Sequence, residues 1–169
     1  MKLTLITVLL ASFLVVEAAE QPIPNRKIDF AAHLRAAKET EGLRESRRLT
    51  EEEFLAYASD PKTVVLDARS ESKFKLRHIK GAINLPFTEF TEESLAKVIP
   101  AKDTRVLIYC NNNFEGDRLA FADKRAPASL NISTFVNLTI YGYTNVYELG
   151  PLLDVQKTIL PLEGNTDSK

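Results

Sequence analysis

Apolar residues follow two rhythms along this chain. Short, nearly unbroken runs occur at TVVLDAR (Thr63 to Arg69), AINLP (Ala82 to Pro86), TRVLIYC (Thr104 to Cys110) and NVYEL (Asn145 to Leu149). Runs of this length, apolar at consecutive positions and rich in β-branched residues, predict strands buried on both faces. Between them lie longer, mixed segments with helical start and stop signals. Asp29 is placed to cap a helix through FAAHLRAAK, Phe30 to Lys38. Thr50 and Glu53 have the spacing of a capping box, with Leu49 positioned to staple onto Phe54. Asp60-Pro61 stops that helix. Thr91 and Ser94 open another, which ends at Pro100. The segment from Leu130 to Tyr141 predicts a further helix, closed by Gly142. The charged stretch ETEGLRESRR (39–48) predicts a loop or frayed end, and residues 111–128 predict a loop. Helices alternating with buried strands give an α/β class with a parallel sheet covered on both faces.

The first residues change the picture of where the domain begins. Lys2 is a short positive region, Leu3 to Val16 is an apolar run, and Val16-Glu17-Ala18 ends in a small residue. This is the pattern of a secretory signal peptide. The run is shorter than the ~20 residues of a membrane span, and no Cys stands directly after it. The expected organisation is a leader over 1–18, a partly helical extension over 19–48, one domain over 49–160 and a polar tail over 161–169. A periplasmic or secreted location follows, with no membrane association after cleavage.

Composition adds exclusions. The chain has 169 residues, 27% of them charged, and a formal net charge of −1. Without a basic excess, nucleic acid is not an expected partner. A single cysteine, Cys110, rules out an internal disulfide framework, a dithiol redox pair and a cysteine-based zinc site. No cofactor or metal is expected. Cys110 is a buried inert thiol, an intermolecular bridge or a nucleophile. Its place favours the last: it ends the run VLIY, and in open α/β sheets sites lie beyond the carboxyl ends of strands. Loop N–H groups and a helix N-terminus behind such a thiol stabilise a thiolate and cradle anions.

Four separated blocks carry a family resemblance over about residues 49 to 150. Asp67 and Arg69 match a D-x-R. His78, Ile79, Gly81, Ala82, Asn84, Leu85 and Pro86 match H-I-x-G-A-x-N-L-P. Tyr109 and Cys110 match the Y-C that ends a central strand, and Gly142, Tyr143, Asn145, Val146 and Tyr147 match G-Y-x-N-V-Y. In this order they resemble a rhodanese-like domain. The resemblance implies a parallel sheet of about five strands with helices on both faces. It implies that Cys110 carries sulfane sulfur as a persulfide. The donor would be a small molecule such as thiosulfate, and the acceptor cyanide, a thiol or a sulfur-accepting protein. Asp67, Arg69 and His78 would be structural supports.

The loop after Cys110 departs from that family. The usual loop has four residues and then Arg, with a helix starting at once. Here Arg118 stands eight positions after Cys110, and the loop is longer by about a dozen residues. The residues expected to form the substrate-binding loop are Asn111, Asn112, Asn113, Phe114, Glu115, Gly116 and Arg118. The asparagines could supply amide donors and adopt left-handed backbone in place of missing glycines. Phe114 would anchor the loop or cover the thiol. A Cys-x5-Arg phosphatase is disfavoured by the spacing and by Glu115 and Asp117, which would repel a phosphate dianion. Two functions remain: a sulfurtransferase using Cys110, or a non-catalytic binding module whose enlarged loop contacts a partner.

Overall fold

The structure is a computed structural model that describes residues 25–165. The signal-peptide reading falls outside these residues. In chain order the elements are α1 (Phe30–Glu45), β1 (Arg48–Leu49), α2 (Glu51–Ala58), β2 (Val64–Asp67), α3 (Glu71–Leu76), β3 (His78–Ile79), β4 (Ile83–Asn84), α4 (Glu92–Val98), β5 (Val106–Tyr109), β6 (Phe114–Glu115), α5 (Leu130–Ile140), β7 (Val146–Leu149), β8 (Leu153–Asp154) and β9 (Leu162–Glu163). Five strands form a sheet in the order β1-β7-β5-β2-β4, and every pairing in it is parallel.

Consecutive apolar positions in the central strands are explained by two core layers. On β5, Val106 and Ile108 face one layer with Leu95 of α4 and Phe135 and Leu138 of α5. Leu107 and Tyr109 face the other, with Phe54 of α2, Phe114 and Phe121. A strand sandwiched this way has no solvent face, so no polar alternation appears in it. The caps form as their spacing predicts. Thr50 accepts from the Glu53 amide while Glu53 accepts from the Thr50 amide, and Thr91 and Ser94 do the same on α4. Leu49 and Phe54 meet in one cluster. At the end of α5, Gly142 adopts φ +83°, and the amides of Gly142 and Tyr143 donate back to Thr139 and Leu138. That is a Schellman closure, which places a left-handed residue at this position.

The stretch 39–48 is a correction. α1 runs on through Gly42 to Glu45, and β1 follows almost at once. Local sequence alone disfavours this, but tertiary contacts outweigh propensity. Thr40 is buried, α1 packs along α5, and Arg44 in its last turn pairs with the buried Glu148 of β7. Arg47 donates to the carbonyl of Thr144. A Cβ at Gly42 would meet nothing within 4 Å. Gly42→Ala is therefore expected to stabilise the domain by roughly 0.5–1 kcal/mol, read as a higher urea midpoint at unchanged slope.

The boundary at 160 also shifts. Leu162 and Glu163, expected in a polar tail, form β9 and pair antiparallel with His78 and Ile79 of β3. The domain thus extends past that point. Among the described residues no helix is long and apolar enough to cross a membrane.

Candidate functional site

Cys110 directly follows β5, the middle strand of the sheet. Its side chain is 1% exposed, yet it forms part of the wall of a cleft of about 240 Å³. Its Sγ lies 3.4 Å from the hydroxyl of Ser129, the residue that precedes α5. The N-terminal end of an 11-residue helix therefore stands at the sulfur. The N-terminal end of a helix carries the positive pole of its dipole and attracts anions. The chain leaves Cys110, makes a long excursion and returns to the place where the helix must start.

The excursion is not a free loop, and this corrects the expectation for 111–128. It begins with a 3₁₀ turn over Asn111–Asn113, continues into β6, which pairs with β8, and ends in a second 3₁₀ turn over Ala126–Ala128. Ala120 and Phe121 in its middle belong to the core. The three asparagines hold it. Asn111 donates its side-chain amide to the Ala122 carbonyl at 2.7 Å. Asn112 donates to the Lys124 carbonyl and accepts from the Lys124 amide. Asn113 accepts from the Cys110 amide at 2.9 Å and donates to the carbonyls of Leu149 and Pro151. They tie loop backbone to loop backbone and to the end of β7. None adopts left-handed backbone; among the described residues only glycines do.

The residues expected to form one substrate-binding loop are thus dispersed. Asn112 and Asn113 line the cleft with Cys110. Asn111 is buried and faces a separate depression beside Arg69 and Lys73. Phe114 is fully buried and packs edge-on to Tyr109 and against Phe121, so it anchors the loop, and it is not among the residues lining the Cys110 cleft. Glu115 is exposed on β6. Gly116 turns the chain at φ +89°, where a Cβ would come within 3.2 Å of Val155. Arg118 is exposed and is not among the residues lining the cleft.

Asp67, Arg69 and Tyr109 form a buried knot beneath this excursion. Arg69 forks onto Asp67, with its closest contact at 2.6 Å, and donates to the carbonyls of Arg77 and Ala120. Its guanidinium also lies 4.5 Å from the centre of the Phe121 ring. Tyr109 donates its hydroxyl to Asp67 at 2.5 Å and accepts from the Ile79 amide. Burial and the Asp67 charge hold the Tyr109 phenol well above its ordinary pKa, so it stays a neutral donor. Burial opposes the charge of Arg69, but its bonds to Asp67 outweigh that and raise its pKa. His78 sits apart from the cleft. Its Nδ1 bonds the Phe74 carbonyl, its ring stacks on Phe74, and its Nε2 lies 3.3 Å from Glu163.

The geometry also brings in residues that sequence reasoning did not select. Ser129, Asn131, Glu148, Arg44 and Arg48 all line the Cys110 cleft. Asn131 heads a glycosylation-like NIS triplet, but it is 5% exposed and donates to Asn113. Its Oδ1 has no partner among the described residues. Glu148 is 1% exposed and pairs with Arg44 at 2.8 Å and Arg48 at 3.3 Å. A signal for this trio was present: an acid inside the buried run NVYEL demands a cation, and RESRR offered three.

Burial pushes the Glu148 carboxyl above its usual value, with Arg44 and Arg48 pulling the other way. A raised folded-state value favours the protonated group. Its contribution is full below the usual carboxylate range and is lost as pH climbs through the folded value. Urea midpoints of the wild type should therefore carry a component that falls over that window, and Glu148→Gln should lack it.

A family model described as Rhodanese-like domain matches residues 50–150, more than half of the chain. The chain belongs to the rhodanese-like family. The thiosulfate sulfurtransferase PspE of Escherichia coli (strain K12) is 30% identical to it over 90 residues, 53% of this chain and 71% of that protein. Among solved structures, a rhodanese-like domain from Anabaena gives a TM-score of 0.51 at 19% identity, covering 73% of this chain and 83% of that one. A thiosulfate sulfurtransferase from Pseudomonas aeruginosa gives 0.50 at 22% identity, covering 78% and 23%. Likeness at such identity shows the rhodanese-like fold alone. The matched span starts at Thr50, so Arg44 and Arg48 lie outside the rhodanese-like segment proper.

Proposed function

We propose that this rhodanese-like domain is a sulfurtransferase that carries sulfane sulfur on Cys110. The observation that carries the reading is the placement of the chain's only thiol. It ends the central strand, lines a cleft, and faces the N-terminal end of α5 with the Ser129 hydroxyl 3.4 Å away. The relation to a thiosulfate sulfurtransferase supplies the donor class.

In the reaction, the Cys110 thiolate attacks the outer sulfur of thiosulfate. A new S–S bond forms, the old S–S bond breaks, and sulfite leaves with its electron pair. The resulting persulfide anion keeps its charge beside the helix N-terminus, where Ser129 can donate to it. An acceptor, cyanide or a thiolate, then attacks the terminal sulfur and releases Cys110 as thiolate. With no second cysteine in the chain, the sulfur passes to a separate molecule. The leader-like pattern at residues 1–18 supports a periplasmic or secreted setting for this chemistry.

A second reading, a non-catalytic binding module, is favoured by the 1% exposure of Cys110. One experiment separates them. Purified protein is incubated with thiosulfate and cyanide, thiocyanate is followed, and Cys110 is inspected by mass spectrometry for one added sulfur. Thiocyanate above the uncatalysed rate, with the adduct on Cys110, supports the transferase. Absence of both leaves the binding module.

A further inference from the structure

We propose that Arg44 and Arg48, contributed by the segment that precedes the rhodanese-like span, form the anion seat of the Cys110 cleft and hold the sulfonate end of the sulfur donor. The inference rests on the sulfur-transfer reading above and deepens it. A small dianionic donor needs cationic, hydrogen-bonding groups beside the nucleophile. The loop does not provide them: Arg118 and Arg125 lie outside the cleft wall, and Lys124 lines the separate depression on the Asn111 side.

The fold brings the two arginines in by a short route. β1 pairs with β7 so that Arg48 is registered opposite Glu148, and β7 pairs with β5 so that Glu148 is opposite Ile108, two residues before Cys110. Arg44 reaches the same carboxylate from the last turn of α1. Two guanidiniums share the one buried carboxylate, and the other acid near them, Glu45, is 75% exposed and 3.9 Å from Arg48. The guanidiniums also keep free donors. Arg44 spends Nε and Nη2 on Glu148. Arg48 spends Nε on Glu148 and Nη2 on the Gly150 carbonyl. Among the described residues, neither Nη1 donates a hydrogen bond; that of Arg48 has only Glu45 at 3.9 Å. The side chains are 27% and 43% exposed, so water and small anions reach them.

A separate observation marks the cleft as a ligand site. Asn131 lines it, is nine-tenths buried, and its Oδ1 has no partner among the described residues. Buried polar atoms are almost always paired, so an unpartnered acceptor on a residue of the cleft wall sets this place apart from ordinary core. In this arrangement α1 is a component of the site and not a spacer.

The test is calorimetric titration of thiosulfate into the Cys110→Ser protein, which binds without turnover, and into Cys110→Ser carrying Arg48→Gln. Arg44 still pairs with Glu148 in the second protein, so no buried charge is orphaned. Loss of one charge-assisted contact is expected to weaken binding roughly tenfold, and in the otherwise wild-type protein Arg48→Gln should raise KM with kcat little changed. Equal affinity of the two proteins, or no binding by either, overturns the proposal. Crystals of the Cys110→Ser protein soaked in thiosulfate give a readout that needs no change at Arg48. Sulfonate oxygens on either guanidinium support the seat, and a sulfonate held elsewhere overturns it. Should the wild type form no thiocyanate while affinity still depends on Arg48, sulfur transfer is wrong and the anion seat stands. Turnover with Arg48-independent affinity sinks the seat alone.

Discussion

Arg69→Ala is expected to destabilise the domain by about 3–5 kcal/mol, the usual cost of removing one partner from a buried ion pair. Arg69 is 2% exposed and Asp67 is fully buried. Without the guanidinium, Asp67 keeps only the Tyr109 hydroxyl and the backbone amide of residue 69 as donors to its carboxylate. The carbonyls of Arg77 and Ala120 lose a donor as well. The loss reaches the excursion after Cys110, because Ala120 and the Phe121 ring rest on the same guanidinium. Arg69→Lys should recover little, since an ammonium cannot fork onto Asp67 and reach two carbonyls together. Phe121→Ala is expected to cost about 3–5 kcal/mol alone and to be non-additive with Arg69→Ala, as residues in direct contact are. Urea unfolding of the two single variants and the double variant reads all of this. A loss under about 1 kcal/mol for Arg69→Ala, the scale of an exposed pair, would show that the knot is not what holds the excursion.

This knot also shows which parts of the molecule could be read from the chain. The central strands were visible because burial on both faces writes itself as consecutive apolar residues. The two capping boxes and the Gly142 closure were visible because each is a local spacing rule. Asp67 and Arg69 stood out as a D-x-R pair, and the structure gives the pair its partners. What was hidden depended on contacts distant in sequence. α1 extends to Glu45 because Arg44 meets a carboxylate 104 residues away, which no helical window contains. Residues 111–128 read as loop because their strand is two residues long and pairs with another equally short one. Their apolar anchors, Phe114, Ala120 and Phe121, lack either period, since each enters the core from irregular backbone. Arg118 drew notice by lying near Cys110 in sequence, whereas Arg44 and Arg48 lie near it in space.

Cys110→Ser is expected to reduce thiocyanate formation to the uncatalysed rate while leaving the fold intact. The two consequences have separate physical origins. A hydroxyl is a far weaker nucleophile toward sulfur than a thiolate and cannot form the S–S bond of a persulfide, so no partial activity should survive. Stability, in contrast, depends on volume and polar satisfaction at a site 1% exposed. Serine is slightly smaller, and its hydroxyl has a partner ready in Ser129, 3.4 Å from the present sulfur. The backbone amide stays bonded to Asn113. A shift within about 1 kcal/mol is therefore expected, the scale of an ordinary neutral hydrogen bond. The pair of readouts matters because a substitution that unfolded the cleft would also abolish activity. Lost activity with a retained urea midpoint assigns the chemistry to the sulfur, and adduct mass on the wild type alone identifies the same atom. Residual thiocyanate formation by the serine protein above background would move the sulfur carrier off Cys110, and in a chain with no other thiol that would remove the persulfide mechanism.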